Sequence, residues 1–211
     1  MQPEQSMVII VDDDSGVREA LGLLLAASGY ATRAFATGKE FLQAELADHP
    51  TCILLDLQMP DMNGLEIQER LRETGSDVPV AFLTGNASVP AAVRAMKHGA
   101  ADFIEKPALQ GSRLLPLVGE MIDRHRGLMA QRLMDDAIVV RIRRLTRRET
   151  EVARLAAQGK ANKVIALELG ISERTVEVHR GRAMRKLELA SAAELTRLAD
   201  HLMSLPAQQQ R

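Results

Sequence analysis

Short apolar runs alternate with stretches of helical period through the first half of the chain. The apolar runs predict strands at Met7–Val11, Ala31–Ala34, Cys52–Leu55, Val80–Leu83 and Asp102–Ile104. The stretches between them predict helices at 15–28, 38–46, 63–73 and 90–98, and a last helix that begins near Gly111. Five successive βα units favour an α/β fold with a five-stranded parallel sheet, flavodoxin-like and doubly wound. Such sheets bind ligands at the carboxyl ends of their strands.

The second half shows helical patterns only. A helix that follows Thr146 is succeeded by helices at Asn162–Leu169 and Ser172–Leu187, and Gly170 lies in the short turn between the last two. A helix, a short glycine-containing turn and a second helix are typical of the helix-turn-helix motif. We therefore predict a small all-α helix-turn-helix domain after the α/β domain.

The helix that begins near Gly111 keeps apolar residues at helical spacing as far as Leu133, although Gly119 and Gly127 interrupt it. A core-facing helix followed by a polar connector is the plainer interpretation. A rigid linker and a short coiled-coil dimer seam are the alternatives. The predicted division is 1–125 for the first domain, 126–143 for a helical linker and 144–211 for the second domain.

Charge differs sharply between the two halves. Residues 1–125 contain 10 Lys and Arg against 18 Asp and Glu, whereas residues 126–211 contain 17 against 10. An acidic half joined to a basic half indicates different partners for each. A single cysteine, Cys52, excludes an internal disulfide, and its apolar neighbours favour inert burial. Neither a signal pattern nor an apolar stretch of membrane-spanning length is present, which favours a cytoplasmic protein with no membrane partner.

Charged and hydroxyl residues collect where the predicted strands end. Asp12, Asp13, Asp56, Thr84 and Lys106 follow the first, third, fourth and fifth strands. Each alone is more often a turn residue, a strand-end hydroxyl or a solvated charge, but their joint position argues against that explanation. Clustered carboxylates repel one another unless a cation is present, and oxygen ligands favour Mg²⁺. A carboxylate beside such cations can attack a phosphoryl group and form an acyl phosphate.

Four sequence motifs are similar to those of a known protein family. They are Val11-Asp12-Asp13, the turn from Asp56 to Gly64, Leu83-Thr84-Gly85, and the run from Asp102 to Pro107. Over residues 6 to about 125 the chain resembles a response-regulator receiver domain. The third acidic residue, Asp14, departs from the usual Glu and receives no ligand role.

The resemblance implies specific roles in the first domain. Asp56 would be the phosphoacceptor, Asp12 and Asp13 the acid pocket with Asp13 a direct Mg²⁺ ligand, and the Gln58 backbone carbonyl a further ligand. Thr84 and Lys106 would contact the phosphoryl oxygens, and Phe103 would rotate inward on activation. Gln58 and Asn86 lie where the family tunes the dephosphorylation rate, which leaves the lifetime of the phosphoryl group open.

Basic residues gather around the last predicted helix of the second domain. They are Arg174, Arg180, Arg182, Arg185 and Lys186. A small helical domain whose basic residues are only solvated would have the same pattern. The alternative is that these residues form a surface that binds the phosphates of nucleic acid. Aromatic residues are absent from this half, which disfavours single-strand binding by base stacking.

The runs Leu145–Glu149, Asn162–Ala166 and Ser172–Arg180 are similar to the LuxR-type DNA-binding domain of the NarL/FixJ class. The resemblance implies groove-facing positions at Thr175, Glu177, Val178, Arg180, Gly181 and Arg182, and contacts to the DNA backbone from Lys163 and Arg174. Arg180 or Arg182 would be the base reader, because arginine contacts guanine bidentately. Gly181 removes a side chain that could read a base.

Together these features predict a two-component response regulator closest to the FixJ group. A sensor histidine kinase would phosphorylate Asp56, and the phosphorylated protein would form a homodimer, bind an inverted repeat in promoter DNA and act with RNA polymerase. The dimer contact implied by the family involves the fourth helix and fifth strand, at Val93, Arg94, Lys97, Asp102 and Phe103. Because the two halves have opposite charge, we also expect the unphosphorylated first domain to mask the second.

Two other classes remain open. A phosphorylation-independent DNA-binding regulator would use the first domain only to dimerise. A metal-dependent phosphohydrolase is disfavoured because Gln58 stands where a second carboxylate would follow the nucleophile. We expect no enzyme activity beyond self-dephosphorylation.

Overall fold

The computed structural model describes residues 6–45, 49–85, 88–106 and 111–204. The chain divides into two compact units, Met1–Ala130 and Gln131–Arg211. The predicted bounds 1–125, 126–143 and 144–211 stay a prediction.

The first unit contains a five-stranded parallel sheet in the order β2-β1-β3-β4-β5, which confirms the predicted fold class. Its strands are β1 Met7–Val11, β2 Ala31–Phe35, β3 Thr51–Asp56, β4 Val80–Thr84 and β5 Asp102–Glu105. Its helices are α1 Ser15–Ala27, α2 Gly38–Gln43, α3 Gly64–Glu73 and α4 Val89–Lys97, and α5 Gly111–Arg143 begins in this unit and ends in the second. The bounds differ from the predicted ones by at most one residue, except that α2 ends at Gln43, three residues before its predicted end. Predicted helix residue 46 lies outside the described residues.

Both faces of the central strands β1, β3 and β4 are buried, so these strands are largely apolar. Ile53 and Phe82 pack in the cluster on one face, whereas Leu54 and Leu83 pack in the cluster on the other. Alternate residues of a strand point to opposite faces, which explains the continuous apolar runs in the sequence. Cys52 is buried in this core, and burial raises the pKa of its thiol to about 12, which confirms the expected inert thiol.

Side-chain caps set the helix starts beside the carboxyl ends of the strands. The Asp14 carboxylate accepts the backbone N–H groups of Gly16 and Val17 at the start of α1. Asn63 caps α3 and Ser88 caps α4 in the same way. Such caps satisfy N–H groups that have no partner within the helix. Asp14 therefore has a structural role, in agreement with its omission from the predicted ligands.

The 33-residue helix α5 buries Leu114, Val118, Met121 and Ile122 against the sheet. It continues to Arg143, so the predicted linker 126–143 is helical and the two glycines do not end the helix. Despite its length, neither α5 nor any other helix in the described ranges is long and apolar enough to cross a membrane.

The second unit contains the predicted helices and two short ones that the sequence did not indicate. They are α6 Arg147–Ala157, α7 Asn162–Leu169, α8 Glu173–Leu187, α9 Ala192–Arg197 and α10 Ala199–Ser204. Thr146 and Glu149 form a reciprocal capping box at the start of α6. Gly170 ends α7 in the left-handed conformation at φ 63°, where glycine avoids the steric cost of a side chain.

An ion pair between a buried carboxylate and a half-exposed lysine joins α6 to α8. Lys186 Nζ lies 2.6 Å from Glu149 Oε2 and also donates to the Arg144 carbonyl at 3.1 Å. Burial raises the pKa of Glu149, but the hydrogen bonds from Lys186 and from the Thr146 backbone outweigh it, so the pKa is lowered. Lys186 thus stabilises the packing of α8 against α6. From the sequence we expected it only among the basic residues around this helix.

We predict that Glu149→Gln lowers the free energy of unfolding of the second unit by on the order of 2 kcal/mol at neutral pH, because it leaves the Lys186 ammonium without its counter-charge. Since the folded pKa of Glu149 is lowered, its contribution is present above the unfolded value of 4.5 and is lost as the pH falls through the folded value. Calorimetry of the full chain from about pH 7 to about pH 3 should therefore show the two proteins converge toward acid. Glu168→Gln, which removes an exposed pair with Lys160, is the matched control and should have little effect. A difference that grows toward acid would contradict this account.

Candidate functional site

Three carboxylates meet at the carboxyl ends of β1 and β3. Asp12 and Asp13 follow β1, Asp56 ends β3, and a ligand oxygen from each lies within 4.8 Å of those from the others. The parallel register, which pairs Val11 with Leu55, brings them together. Asp12 and Asp56 are buried, whereas Asp13 is exposed. The structure therefore places a solvent-facing acidic group beside two enclosed ones.

Lys106 lies between the two enclosed carboxylates. Its Nζ donates a hydrogen bond to Asp56 Oδ2 at 2.9 Å and lies 2.8 Å from Asp12 Oδ2 in an ion pair. Burial raises the pKa of Asp12, and the contacts from Lys106 and the Asp14 backbone offset only part of that rise. Burial alone would lower the pKa of Lys106, but its two carboxylate partners raise it overall. Lys106 is therefore firmly protonated and supplies a fixed positive charge at Asp56.

The loop after β3 holds Asp56 in place. The Gln58 N–H donates to Asp56 Oδ1 at 3.3 Å, and the Leu57 N–H donates to the Leu83 carbonyl at 3.1 Å. Gly64 then returns so close to β3 that an added Cβ would lie 2.4 Å from the Asp56 carbonyl oxygen. A glycine at this position lets the loop close tightly beneath the acidic residue.

Asp61 has a role that sequence reasoning missed. Its carboxylate accepts from the backbone N–H of Gly38 at 3.3 Å and of Lys39 at 3.1 Å, at the start of α2. The loop after Asp56 is thereby tied to α2. The sequence does show an acidic residue at position 61 of the turn motif. Its partners lie more than twenty residues earlier in the chain, so no local sequence pattern predicts the contact.

The acidic cluster suits a hard divalent cation. Its donors are all oxygens, and the charge repulsion between enclosed carboxylates is relieved by a second positive charge. Asp12, Asp13 and Asp56 could hold Mg²⁺. The part predicted for the Gln58 carbonyl stays a prediction.

The other predicted phosphoryl-contacting residue lies at the same end of the sheet, whereas the predicted switch residue lies nearer the amino end of β5. Thr84 ends β4 as a fully buried residue, one position after the partner of Asp56 in the strand register. Phe103 is half-buried on β5, with its ring 6.1 Å from that of Phe82. Asn86 and Pro107 of the sequence motifs lie outside the described residues.

The predicted dimer residues lie on α4 and β5. Val93, Arg94 and Lys97 are exposed on α4, while Asp102 is half-buried beside Arg113 at 3.4 Å. Two further exposed apolar residues of α4, which the sequence prediction omitted, are Val89 at 78% and Met96 at 48%.

Most of the predicted DNA-contacting side chains are exposed on the second unit. The exposed ones are Lys163, Arg174, Glu177, Val178 and Arg182. Arg174 pairs with Glu177 on the surface at 3.2 Å. Thr175 is half-buried, and its hydroxyl contacts the Ser172 cap. The exposed face of α8 is thus basic, and Gly181 leaves open space within it.

Arg180 is oriented by a residue that sequence reasoning did not assign. Its Nη1 donates to Asn162 Oδ1 at 2.9 Å, so the first residue of α7 holds a side chain of α8. Helical periodicity places neither residue beside the other, because they lie on different helices.

Each of the two units matches a known protein family. Residues 8–118 match the model of the response regulator receiver domain, and residues 143–199 match that of the bacterial regulatory proteins of the luxR family. The first match covers more than half of the chain.

Similar proteins span nearly the whole length. The chain is 40% identical over 197 residues to the transcriptional regulatory protein FixJ of Azorhizobium caulinodans, covering 93% of each chain. It resembles the structure of the response regulator StyR with a TM-score of 0.82 and 36% identity, covering 93% of this chain and 99% of that one. Full-length FixJ from B. japonicum gives a TM-score of 0.55 and 32% identity, with 97% and 100% covered. The chain therefore belongs to the two-component response regulators that combine a receiver domain with a LuxR-type DNA-binding domain.

Proposed function

We propose that Asp56 accepts a phosphoryl group from a sensor histidine kinase, and that this modification promotes homodimerisation and promoter binding. The observation that carries the proposal is the Lys106 ammonium, held 2.9 Å from Asp56 Oδ2 inside a carboxylate cluster. An acidic residue beside a fixed cation is suited to transfer of an anionic group.

In the proposed reaction an Asp56 carboxylate oxygen attacks phosphorus, the bond from phosphorus to the kinase histidine breaks, and an acyl phosphate forms. Lys106 faces the incoming phosphoryl oxygens and offsets their charge. Thr84 is assigned a hydrogen bond to the same oxygens. The exposed position of Asp13 leaves one side of the cluster open to the donor.

Mg²⁺ is the proposed cofactor, held by Asp13 and Asp56 with Asp12 in support and with the Gln58 carbonyl as a further ligand. When bound, the ion neutralises charge on the transferred group. The protein residues orient that group and keep the Asp56 carboxylate in place through the Gln58 N–H.

The proposed dimer uses α4 and β5. Val93 is exposed there, with Val89 and Met96 adding apolar surface beside Arg94 and Lys97. Contiguous exposed apolar groups mark interaction surfaces. Phe103, half-buried between this face and Phe82, is assigned the inward rotation that reports phosphorylation.

The second domain, taken as residues 144–211, is proposed to bind double-stranded promoter DNA through α8. Since one small helix-turn-helix domain reads only a few base pairs, a dimer on an inverted repeat provides the specificity. RNA polymerase is the proposed partner at the promoter. The cytoplasm is the proposed location, because the protein must reach DNA there.

We predict that acetyl phosphate with Mg²⁺ adds one phosphoryl group to the wild-type chain, measured by intact-protein mass spectrometry, and that Asp56→Asn abolishes the addition. Asp123→Asn, an exposed aspartate of α5, is the control and should label normally. Peptide mapping that finds the label elsewhere, or labelling that persists in Asp56→Asn, would assign the acceptor to another residue. Chelation of Mg²⁺ is expected to slow labelling strongly.

For DNA binding we predict different effects from two exposed arginines. With a duplex selected from random sequence, Arg182→Gln should weaken binding by about 1–3 kcal/mol and relax base preference at one position in each half-site. Arg174→Gln should weaken binding to all sequences about equally. It should also lower the slope of log binding constant against log salt concentration by about one. Fluorescence anisotropy over a salt series distinguishes them, and unchanged base preference in Arg182→Gln would remove its assigned role.

A further inference from the structure

Arg180 differs from the exposed arginines of α8 in the side of the helix on which it lies. An α-helix turns by about 100° per residue, so Arg180, four residues after the buried Val176, lies only about 40° around α8 from it. Arg182 lies about 120° from Val176 and is exposed, whereas Arg180 is half-buried. The Arg180 side chain therefore leaves α8 on the side that packs against α7, and not from the middle of the exposed face.

Asn162, the first residue of α7, holds the end of this side chain. Its Oδ1 accepts a hydrogen bond from Arg180 Nη1 at 2.9 Å, and Asn162 is itself half-buried. Among the residues that the structure describes, Arg180 has no carboxylate partner, and its side chain makes no other hydrogen bond. A guanidinium group has five N–H donors. Four of them have no acceptor in the described part of the chain, and the positive charge has no counter-charge there.

The place of the Asn162 contact decides which part of DNA this cation can meet. In a helix-turn-helix motif the second helix lies in the major groove, while the first helix crosses the phosphate backbone. Here α7 is the first helix and α8 the second. A guanidinium held at the first residue of α7 therefore lies at the DNA backbone and not at the base edges. Lys163 follows Asn162 and is exposed, so a second cation lies at the same end of α7.

We propose that Arg180 binds a phosphate of the DNA backbone and that Asn162 is its positioning residue, which leaves base reading to the exposed face of α8. This inference rests on the proposed DNA binding and assigns a role within it. Guanidinium groups match phosphate oxygens with parallel N–H donors. Because Asn162 restricts the Arg180 side chain before DNA arrives, less conformational entropy is lost on binding. Of the two arginines that the sequence offered as base readers, Arg182 keeps that role.

The test is fluorescence anisotropy of the full-length chain with Mg²⁺ and beryllofluoride, over a salt series, on a duplex selected from random sequence and on its single-base variants. We expect Arg180→Gln to weaken binding to all of these duplexes alike, by about fivefold for each bound copy of the chain at roughly 0.15 M salt. The slope of log binding constant against log salt concentration should fall by about one for each copy. Base preference should stay as in the wild type, in contrast to Arg182→Gln.

Two substitutions of Asn162 test its positioning role. Asn162→Ala keeps the charge of Arg180 but frees its side chain, so we expect about threefold weaker binding and an unchanged salt slope. Added to Arg180→Gln it should weaken binding no further, because its effect acts through Arg180. Asn162→Asp keeps an acceptor but cancels the charge, so binding should weaken at least as much as in Arg180→Gln, with a lower slope. Since an acidic residue suits the first turn of a helix, an undiminished Tm of Asn162→Asp would show that this loss is not unfolding.

Several results would overturn the proposal. A changed base preference in Arg180→Gln would make Arg180 a base reader, and an unchanged affinity and salt slope would make it a packing residue only. Wild-type affinity in Asn162→Ala or Asn162→Asp, or additive losses in the double variant, would remove the positioning role of Asn162. A wild-type chain that binds no duplex would overturn the proposed DNA binding as well, so that failure is distinguished from the others.

Discussion

The receiver unit depends on one ammonium group held between two buried carboxylates. Taking Asp12 and Asp56 out of water is costly, and their mutual repulsion adds to that cost unless a positive charge lies between them. Lys106 provides that charge at 2.8 and 2.9 Å. It reaches them because β5 delivers it to the same sheet edge as β1 and β3. The buried central strands β1, β3 and β4 support that edge, and a change in the charge of Asp56 changes its attraction to Lys106. The proposed switch follows from this arrangement.

The second unit also contains an ion pair with a buried carboxylate, and here it stabilises the packing of two helices. Lys186 pairs with buried Glu149, whose own carboxylate completes the capping box of α6. Because Lys186 is engaged in this ion pair, the exposed basic residues of α8 are Arg174, Arg182 and Arg185, while Arg180 is held by Asn162. Packing and recognition are thus divided between residues of one helix. The inward side holds Val176, Ala183 and Leu187, and the outward side is proposed to bind DNA.

Several features could be predicted from the sequence because they depend on local periodicity and strand ends. The strands of the parallel sheet are near-continuous apolar runs, and an acidic or basic residue after such a run must lie at the carboxyl edge, which located Asp12, Asp56 and Lys106. Contacts between distant residues could not be predicted in this way. The Asp61 carboxylate reaches α2, Asn162 orients Arg180, and Gln68 is left with an unpaired oxygen only because of how the helices pack. The short helices α9 and α10 also escaped detection, since six residues give too little periodicity to distinguish a helix.

In the proposed function, a phosphoryl group at Asp56 controls association of the chain. Size-exclusion chromatography with light scattering, in Mg²⁺ with and without beryllofluoride as a stable phosphoryl mimic, tests it most directly when wild type is compared with Asp56→Ala. We expect a dimer that requires the mimic and appears in the wild type alone. A dimer present in both proteins without the mimic, or a monomer under every condition, would contradict it and favour a regulator that works independently of phosphorylation.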